Sequence, residues 1–128
     1  MIETVRVSGK GKIQLATLKR RTGIPNWNTL CRWALCSSLS VDSEPPDEDI
    51  PSDSSVEMTW KTFSGGDEEL YLALIKFRAL KAGVEDKKES INRYFRLHLH
   101  RGLSYLVGNP KLRSIEYLLR LSVSSQSK

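Results

Sequence analysis

The stretch "VRVSGKGKIQLATLKRRTGIPNWNTLCRWAL", residues 5–35, decides the fold, because three short elements follow one another there with almost no connecting chain. Residues Thr4–Ser8 alternate between polar and apolar side chains, a period of two that predicts a short strand. Gly9-Lys10-Gly11 is expected to form a flexible turn. A helix is then predicted from about Lys12 to Thr22, where a glycine follows as a stop signal.

A second helix is predicted after Asn26, a residue type that favours the N-cap position. Apolar residues recur there at the spacing of an amphipathic helix, namely Trp27, Leu30, Cys31, Ala34 and Leu35. A strand followed by two helices is the order of a ribbon-helix-helix DNA-binding unit, in which the strand contacts a groove. In such a unit the outward strand residues, here Thr4, Arg6 and Ser8, read base edges.

The next part of the chain has a different composition. Residues 41–55 are rich in serine, proline and acidic side chains, so they cannot bury enough apolar surface to fold by themselves. We expect a mobile acidic loop there. Beyond it, the sequence predicts a second strand, Val56–Phe63. Three helices should follow, the first from about Asp67 to Ala82, the second from about Lys88 to Val107, and the third after Asn109-Pro110 to about Leu121. A frayed tail should follow from about residue 122.

Two segments are similar enough to indicate an internal repeat. "LATLKRR" (residues 15–21) aligns with "LALIKFR" (residues 72–78), and each lies in a strand-helix-helix order of predicted elements. Ribbon-helix-helix units need a second copy to pair their strands, and here one chain could supply both. The fold class predicted is therefore mainly α with two short strands, ribbon-helix-helix-like, with an internally duplicated strand-helix-helix unit as one arrangement.

Length and composition bound the class of protein. A chain of 128 residues is expected to form a single domain. No apolar run approaches the roughly 20 residues that span a bilayer, and nothing at the N-terminus resembles a signal peptide. Cys31 and Cys36 are five residues apart on a predicted helix, too far around it to share a disulfide or a metal, so we expect reduced thiols in a cytoplasmic protein.

The charges fall into three blocks. Residues 1–40 carry a net charge of +6, residues 41–69 carry −9 and residues 70–128 carry +8. A basic surface is the electrostatic footprint of polyanion binding, although basic side chains also serve solubility alone. The first basic block supplies the candidate DNA-binding residues, which are Arg6, Lys10, Lys12, Lys19, Arg20 and Arg21. Contacts from such a set are expected to go mainly to phosphates.

Signals for other chemistry are weak. Gly9-Lys10-Gly11-Lys12 lacks the spacing of a nucleotide-binding phosphate loop. His98 and His100 point to different sides of a helix, so we expect one in the core and one at the surface rather than a metal pair. No nucleophile and base are spaced for catalysis, although partners distant in sequence remain open. The sequence therefore predicts no catalytic site, no metal and no cofactor.

The chain as a whole resembles one known family. The segments "KIQLATLKRRTGIPNWNTLCRWALCSSL", "YLALIKFRALKAG" and "RYFRLHLHRGLSYLVG" look like DndE, the small subunit of the bacterial DNA phosphorothioation (sulfur modification) system. This resemblance covers roughly residues 2–121 and implies a mostly helical, oligomeric protein that engages double-stranded DNA, with nicks as a candidate target. The partners it implies are a cysteine desulfurase, an iron–sulfur protein and an ATPase, which carry the sulfur chemistry.

Two other functions stay open at this point. A ribbon-helix-helix transcriptional regulator or antitoxin has the same first elements, but such proteins usually end after one strand and two helices. A nuclease that nicks DNA would need a site that the sequence does not reveal. Independently of function, the helix from about Leu70 is apolar nearly all round, so we expect it to be central and the protein to form a homo-oligomer.

Overall fold

The structure, a computed structural model, describes residues 1–109. This part of the chain is mainly helical, with two short strands. The elements in chain order are β1 (Thr4–Arg6), α1 (Gly9–Thr22), α2 (Trp27–Leu39), β2 (Glu57–Thr59), α3 (Trp60–Ser64), α4 (Glu68–Lys81) and α5 (Lys88–Gly108). The predicted last helix and the frayed tail lie outside the described residues.

The two strands form one antiparallel pair within the chain. Thr4 pairs with Thr59, and Arg6 with Glu57. The predicted strand Val56–Phe63 was too long: it ends at Thr59, whose side-chain oxygen accepts a hydrogen bond from the amide of Thr62 and so caps α3. The second half of the chain is thus a strand followed by three helices, and the predicted duplication of a strand-helix-helix unit is not reproduced in that form.

Helix α1 begins three residues earlier than predicted. Ser8 is its N-cap, and the Ser8 hydroxyl accepts a hydrogen bond from the amide of Gly11 at 3.0 Å. The expected flexible turn at Gly9-Lys10-Gly11 is therefore wrong, since these residues form the first turn of α1. Gly11 is required there because a β-carbon would lie 2.5 Å from Cγ1 of Val7. At the other end, Gly23 adopts a left-handed conformation and stops the helix, as predicted.

The centre of the fold is the contact between α2 and α5. The apolar stripe predicted on α2 is buried except for the half-buried Trp27. On α5 the residues that helical spacing puts on one face are all buried, namely Ile91, Phe95, His98, Leu99, Gly102 and Leu106. The helices approach most closely at Gly102, where a β-carbon would overlap the carbonyl oxygen of Ala34. Helix α1 and the strand pair cover this core from one side.

Helix α4 does not occupy the central position predicted for it. Within the described chain only Ile75 and Ala79 of this helix are buried. Tyr71 and Leu72 are half-buried against the core, and four large apolar residues form a stripe along the exposed side, namely Leu70, Leu74, Phe77 and Leu80. We call these four residues the α4 stripe. A single chain therefore leaves uncovered most of the apolar surface that led to the prediction.

Residues 41–55, hereafter the acidic segment, form no helix or strand, as their composition predicted. The segment nevertheless lies against the surface and is held there by many hydrogen bonds. Its mobility stays a prediction, and these bonds are a reason to expect restraint. In residues 1–109, no helix combines the length and the apolar character needed to cross a bilayer.

Candidate nucleic-acid interface

Helix α1 presents a cluster of exposed cations. We call the following residues the α1 cations: Lys10, Lys12, Lys19, Arg20 and Arg21. The buried face of α1 packs toward α5 and contains only Gly11, Leu15, Leu18 and Thr22, so every charged side chain of the helix is left on the solvent side. The sequence prediction that these five residues are accessible for binding is consistent with their exposure.

The α1 cations are spread over the whole exposed side of the helix. At about 100° per residue, Lys12 and Lys19 lie on one flank, roughly 10 Å apart along the axis. Lys10 and Arg21 lie on the opposite flank, and Arg20 points away from the core. Cations at both flanks of one helix suit a polyanion that is contacted along its backbone. Lys19, Arg20 and Arg21 lie in the last turn of the helix, where positive charge also interacts favourably with the helix dipole.

None of the α1 cations forms an ion pair with any residue in the part of the chain that the structure describes. Their polar contacts are to neutral groups. Arg21 donates to the carbonyl oxygen of Val107 at 2.7 Å, and Lys12 lies 3.4 Å from the hydroxyl of Ser55. The positive charge of α1 is therefore not neutralised by nearby side chains.

Arg6, the sixth residue predicted to bind DNA, has a different environment. It is exposed on β1, and its guanidinium lies 3.5 Å from the carboxylate of Glu57 on β2. The outward face of the strand pair thus places a carboxylate directly beside the arginine. A groove-reading ribbon would bring this carboxylate toward phosphates, so the geometry does not favour base readout by Arg6.

The second basic block is, by contrast, largely engaged within the chain. Arg78 of α4 contacts the carboxylate of Glu44 at 3.2 Å and donates to the carbonyl oxygens of residues 39 and 41–43. Arg101 of α5 donates to the carbonyl oxygens of Ser38 and Ser43. Two more arginines of α5, Arg93 and Arg96, bind the acidic segment further along. Sequence reasoning missed this anchoring, because backbone carbonyls leave no signal in the sequence.

One buried pair has the residue types of a catalytic dyad. Ser38 Oγ and His98 Nδ1 are 2.7 Å apart, and Arg101 Nε also donates to Ser38 Oγ at 2.8 Å. Both Ser38 and His98 are fully buried, so no substrate can reach the hydroxyl. Burial, together with Arg101 and Arg78, lowers the pKa of His98 to about 4, which keeps the imidazole neutral. The prediction of a core histidine is confirmed.

His100 was expected at the surface, but it is half-buried and joins two elements. Its Nε2 accepts a hydrogen bond from the amide of Ser8 at 3.0 Å, and its Nδ1 lies 2.8 Å from the carbonyl oxygen of Arg96. Burial lowers the pKa of His100. The His100 ring therefore connects the N-cap of α1 to α5, and this contact helps to position α1 and its cations relative to the core.

The remaining side chains with reactive or metal-binding chemistry are the histidines, the acidic residues and the two cysteines. Among residues 1–109, no group of three or more histidine, cysteine or acidic side chains is placed to hold a metal ion. Both cysteines are free thiols. Burial raises the pKa of the Cys31 thiol to about 12, which makes it a poor nucleophile.

Comparison with known proteins identifies one family and several similar solved structures, among them the following two. A family model described as DNA sulphur modification protein DndE matches residues 4–114. A crystal structure of DndE from Escherichia coli B7A, involved in DNA phosphorothioation modification, is 18% identical, with a TM-score of 0.71 and coverage of 83% of this chain and 98% of that chain. A mutant DndE involved in DNA phosphorothioation is 16% identical, with a TM-score of 0.67 and coverage of 85% and 100%. No curated protein sequence matches the chain.

Proposed function

The chain belongs to the DndE family of DNA sulphur modification proteins, and on this basis we propose that it is a DNA-binding accessory subunit of DNA phosphorothioation. It engages the duplex through the α1 cations and makes mostly phosphate contacts. Its role is to hold DNA for partner proteins that carry the sulfur chemistry. The resemblance to the family implies a cysteine desulfurase, an iron–sulfur protein and an ATPase as those partners.

One observation supports the DNA-binding part more than any other. The α1 cations are exposed and have no ion pair within residues 1–109, whereas arginines of the second basic block are engaged by the acidic segment. An uncompensated cationic helix attracts phosphates and releases their counterions on binding. As a result, most of the exposed lysine and arginine side chains that form no ion pair within residues 1–109 lie on α1.

Backbone contact fits this helix better than base readout. The α1 cations occupy both flanks of α1, and the outermost line between the flanks combines Arg20 with Ile13, an apolar residue with 70% exposure. Lysine and arginine at such positions bind phosphates without reading sequence. Duplex ends and nicks expose the same phosphates and add flexibility, so nicked DNA is included among the expected targets.

We also propose that the protein acts without a catalytic site of its own. Among the described residues, the only serine hydroxyl in hydrogen-bond contact with a histidine is that of Ser38, and both Ser38 and its partner His98 are buried. Among the carboxylates of the acidic segment, those of Glu44, Asp47 and Asp49 engage arginines, and that of Asp53 accepts a hydrogen bond from a backbone amide. A regulator or antitoxin is the alternative, and the pairing of Arg6 with Glu57 weighs against it.

The assembly proposed is a homo-oligomer that covers the α4 stripe. Phe77, at its centre, is 72% exposed in the single chain. Four large apolar side chains in one row along a helix are costly to leave in water and typical of an interface. A second copy of the chain presents an identical stripe, which allows a symmetric contact.

The experiment that tests the DNA-binding proposal is an equilibrium titration with intact and nicked duplexes of unrelated sequence at two salt concentrations. We expect similar affinities for all sequences and a steep loss of affinity as salt increases. Binding that is independent of salt would contradict the proposal. Strong preference for one sequence would instead support the regulator.

A further inference from the structure

The acidic segment is held in two different ways along its length. In the first half, Arg78 binds the carbonyl oxygens of residues 41–43, Arg101 binds that of Ser43, and the Arg78 side chain is only 14% exposed. In the second half, residues 47–53, every residue except the half-buried Ile50 is exposed. The first half is therefore a fixed anchor, and the second half is the part that can move.

The contacts of the second half are made at the surface. Arg93 binds the carboxylates of both Asp47 and Asp49, the latter at 3.6 Å. Arg96 donates to the carbonyl oxygens of Ile50 and Pro51 at 3.0 and 3.1 Å. Exposed ion pairs contribute little to stability, because water and salt screen them. A competing polyanion can replace such contacts at small cost.

A cleft of about 510 Å³ lies between residues 48–50 of the acidic segment, β1 and α5. Four cations line it: Arg6, Lys88, Arg93 and Arg96. Four carboxylates balance them, and two of these, Glu48 and Asp49, come from the acidic segment. If the second half of the segment moves away, Glu48 and Asp49 leave the cleft, and its four cations then face two carboxylates instead of four.

Two cations of this cleft, Arg6 and Arg96, lie close enough to repel each other. Burial and the nearby charge of Arg6 lower the pKa of Arg96. Each polar contact given for the Arg96 side chain ends on a neutral carbonyl oxygen, including that of Arg6 at 3.3 Å. An anion between Arg6 and Arg96 would relieve their repulsion. A phosphate is the ligand that arginine pairs of this kind bind well.

The segment ends at the helix that we propose binds DNA. The carboxylate of Asp53 accepts a hydrogen bond from the amide of Gly9, the first residue of α1, at 2.6 Å. Lys10 follows directly, and Ser55 lies near Lys12. The acidic segment thus places negative charge along the surface from the cleft to the first turn of α1. A DNA backbone bound to α1 would follow the same path toward the cleft.

We propose that residues 47–53 cover a second phosphate-binding surface, formed by Arg6, Lys88, Arg93 and Arg96, and that DNA bound to α1 displaces them to reach it. The inference rests on the proposed DNA-binding function. DNA held in this way contacts α1 and the cleft together, and the acidic segment opposes binding until phosphates replace its carboxylates.

The first test removes the two carboxylates on Arg93. Asp47→Asn with Asp49→Asn is compared with Glu68→Gln with Glu69→Gln, which makes the same change in net charge on α4. The full chain is titrated with a random-sequence duplex. We expect the first variant to bind roughly fivefold more tightly or better at moderate salt, with a salt slope steeper by about one. Equal changes in both variants would overturn the proposal.

The second test asks whether Arg93 touches DNA once it is free. Arg93→Gln should cancel the gain of the Asp47→Asn, Asp49→Asn variant but weaken the wild type much less, a non-additive pair. Amide hydrogen exchange of the wild type should show that the Gly9 amide, which donates to Asp53, loses protection when the duplex binds. DNA binding with unchanged exchange there would overturn this inference and leave the proposed function standing. Absence of DNA binding at low salt would overturn both.

Discussion

A β-carbon on Gly102 would lie 1.7 Å from the carbonyl oxygen of Ala34, so α5 and α2 meet backbone to backbone at this point. No side chain fits between the two helices there. The contact sets the distance between them, and with it the packing of the core that carries α1.

Gly102→Ala should therefore destabilise the protein strongly. The β-carbon cannot be accommodated without separating the helices, and we expect a loss of at least about 3 kcal/mol in the free energy of unfolding. Gly108→Ala is the matched control, because a β-carbon at Gly108, in the last turn of the same helix, meets nothing within 4 Å. Urea denaturation measures both, and similar stabilities for the two variants would contradict the close contact.

The DNA-binding proposal predicts a defined effect for Lys12 and Lys19. Replacing both with glutamine should weaken binding to every duplex and reduce the salt slope by about two, since two phosphate contacts are lost. Lys61→Gln with Lys81→Gln removes the same charge from exposed positions outside α1. If both double variants lose affinity equally, the effect is one of net charge, and α1 is not the interface.

Arg6 separates backbone binding from base readout. We expect Arg6→Ala to weaken binding to all duplexes about equally and to reduce the salt slope by about one or less, because Glu57 already engages this guanidinium. A base-reading arginine would instead supply about 1–3 kcal/mol of discrimination. Titration of a panel of random and nicked duplexes distinguishes the outcomes. Loss of selectivity with general affinity intact would favour the regulator.

The oligomer proposed through the α4 stripe depends on Phe77. Phe77→Glu places a charge in the centre of the apolar contact and should produce a monomer at micromolar concentration, measured by light scattering. Ser52→Glu adds the same charge to the acidic segment, away from α4, and should leave the oligomer intact. A wild-type protein that is already monomeric would refute the assembly.

Burial of His98 predicts that stability depends on pH. Its pKa is lowered to about 4 by desolvation and by Arg101 and Arg78, against about 6.5 in an unfolded chain, while the nearby Glu44 acts in the opposite direction. The unfolded state therefore takes up a proton first as the pH falls. The stability due to the neutral histidine is present above pH 6.5 and is lost progressively toward pH 4.

Between pH 7.5 and 5 this loss should be on the order of 2 kcal/mol. His98→Gln removes the titrating group, so the variant should lose less stability than the wild type over the same interval, whatever its starting value. His100 contributes in the same direction in both proteins, because burial lowers its pKa as well. If the wild type and His98→Gln lose the same free energy of unfolding between pH 7.5 and 5, as measured by urea denaturation, then His98 is not responsible for the pH dependence.

The parts of the fold that could be predicted are those whose signal is periodic. The stripes of α2 and α5 bury the residues that their spacing indicated, since a buried helix face must repeat every three to four residues. The start of α1 was missed because glycine ordinarily marks a turn. Here Gly11 is needed for its missing side chain, which lets α1 approach Val7 and His100.

The candidate site was predictable to a lesser degree. The α1 cations could be identified from charge density alone, and their exposure agrees. Composition could not place Arg6 beside Glu57, because that contact depends on strand register. It also could not show whether the apolar side of α4 is covered by its own chain, since the same residues serve a core and an interface equally well.

The way the acidic segment is anchored has a consequence for its evolution. Arg78, Arg96 and Arg101 bind mostly main-chain carbonyls, which every amino acid supplies. The path of the first half of the segment is thus largely independent of its side chains, whereas the second half also depends on the carboxylates of Asp47, Asp49 and Asp53. Natural variation or deliberate redesign can therefore change the number of acidic residues in the first half without altering the helices against which the segment packs.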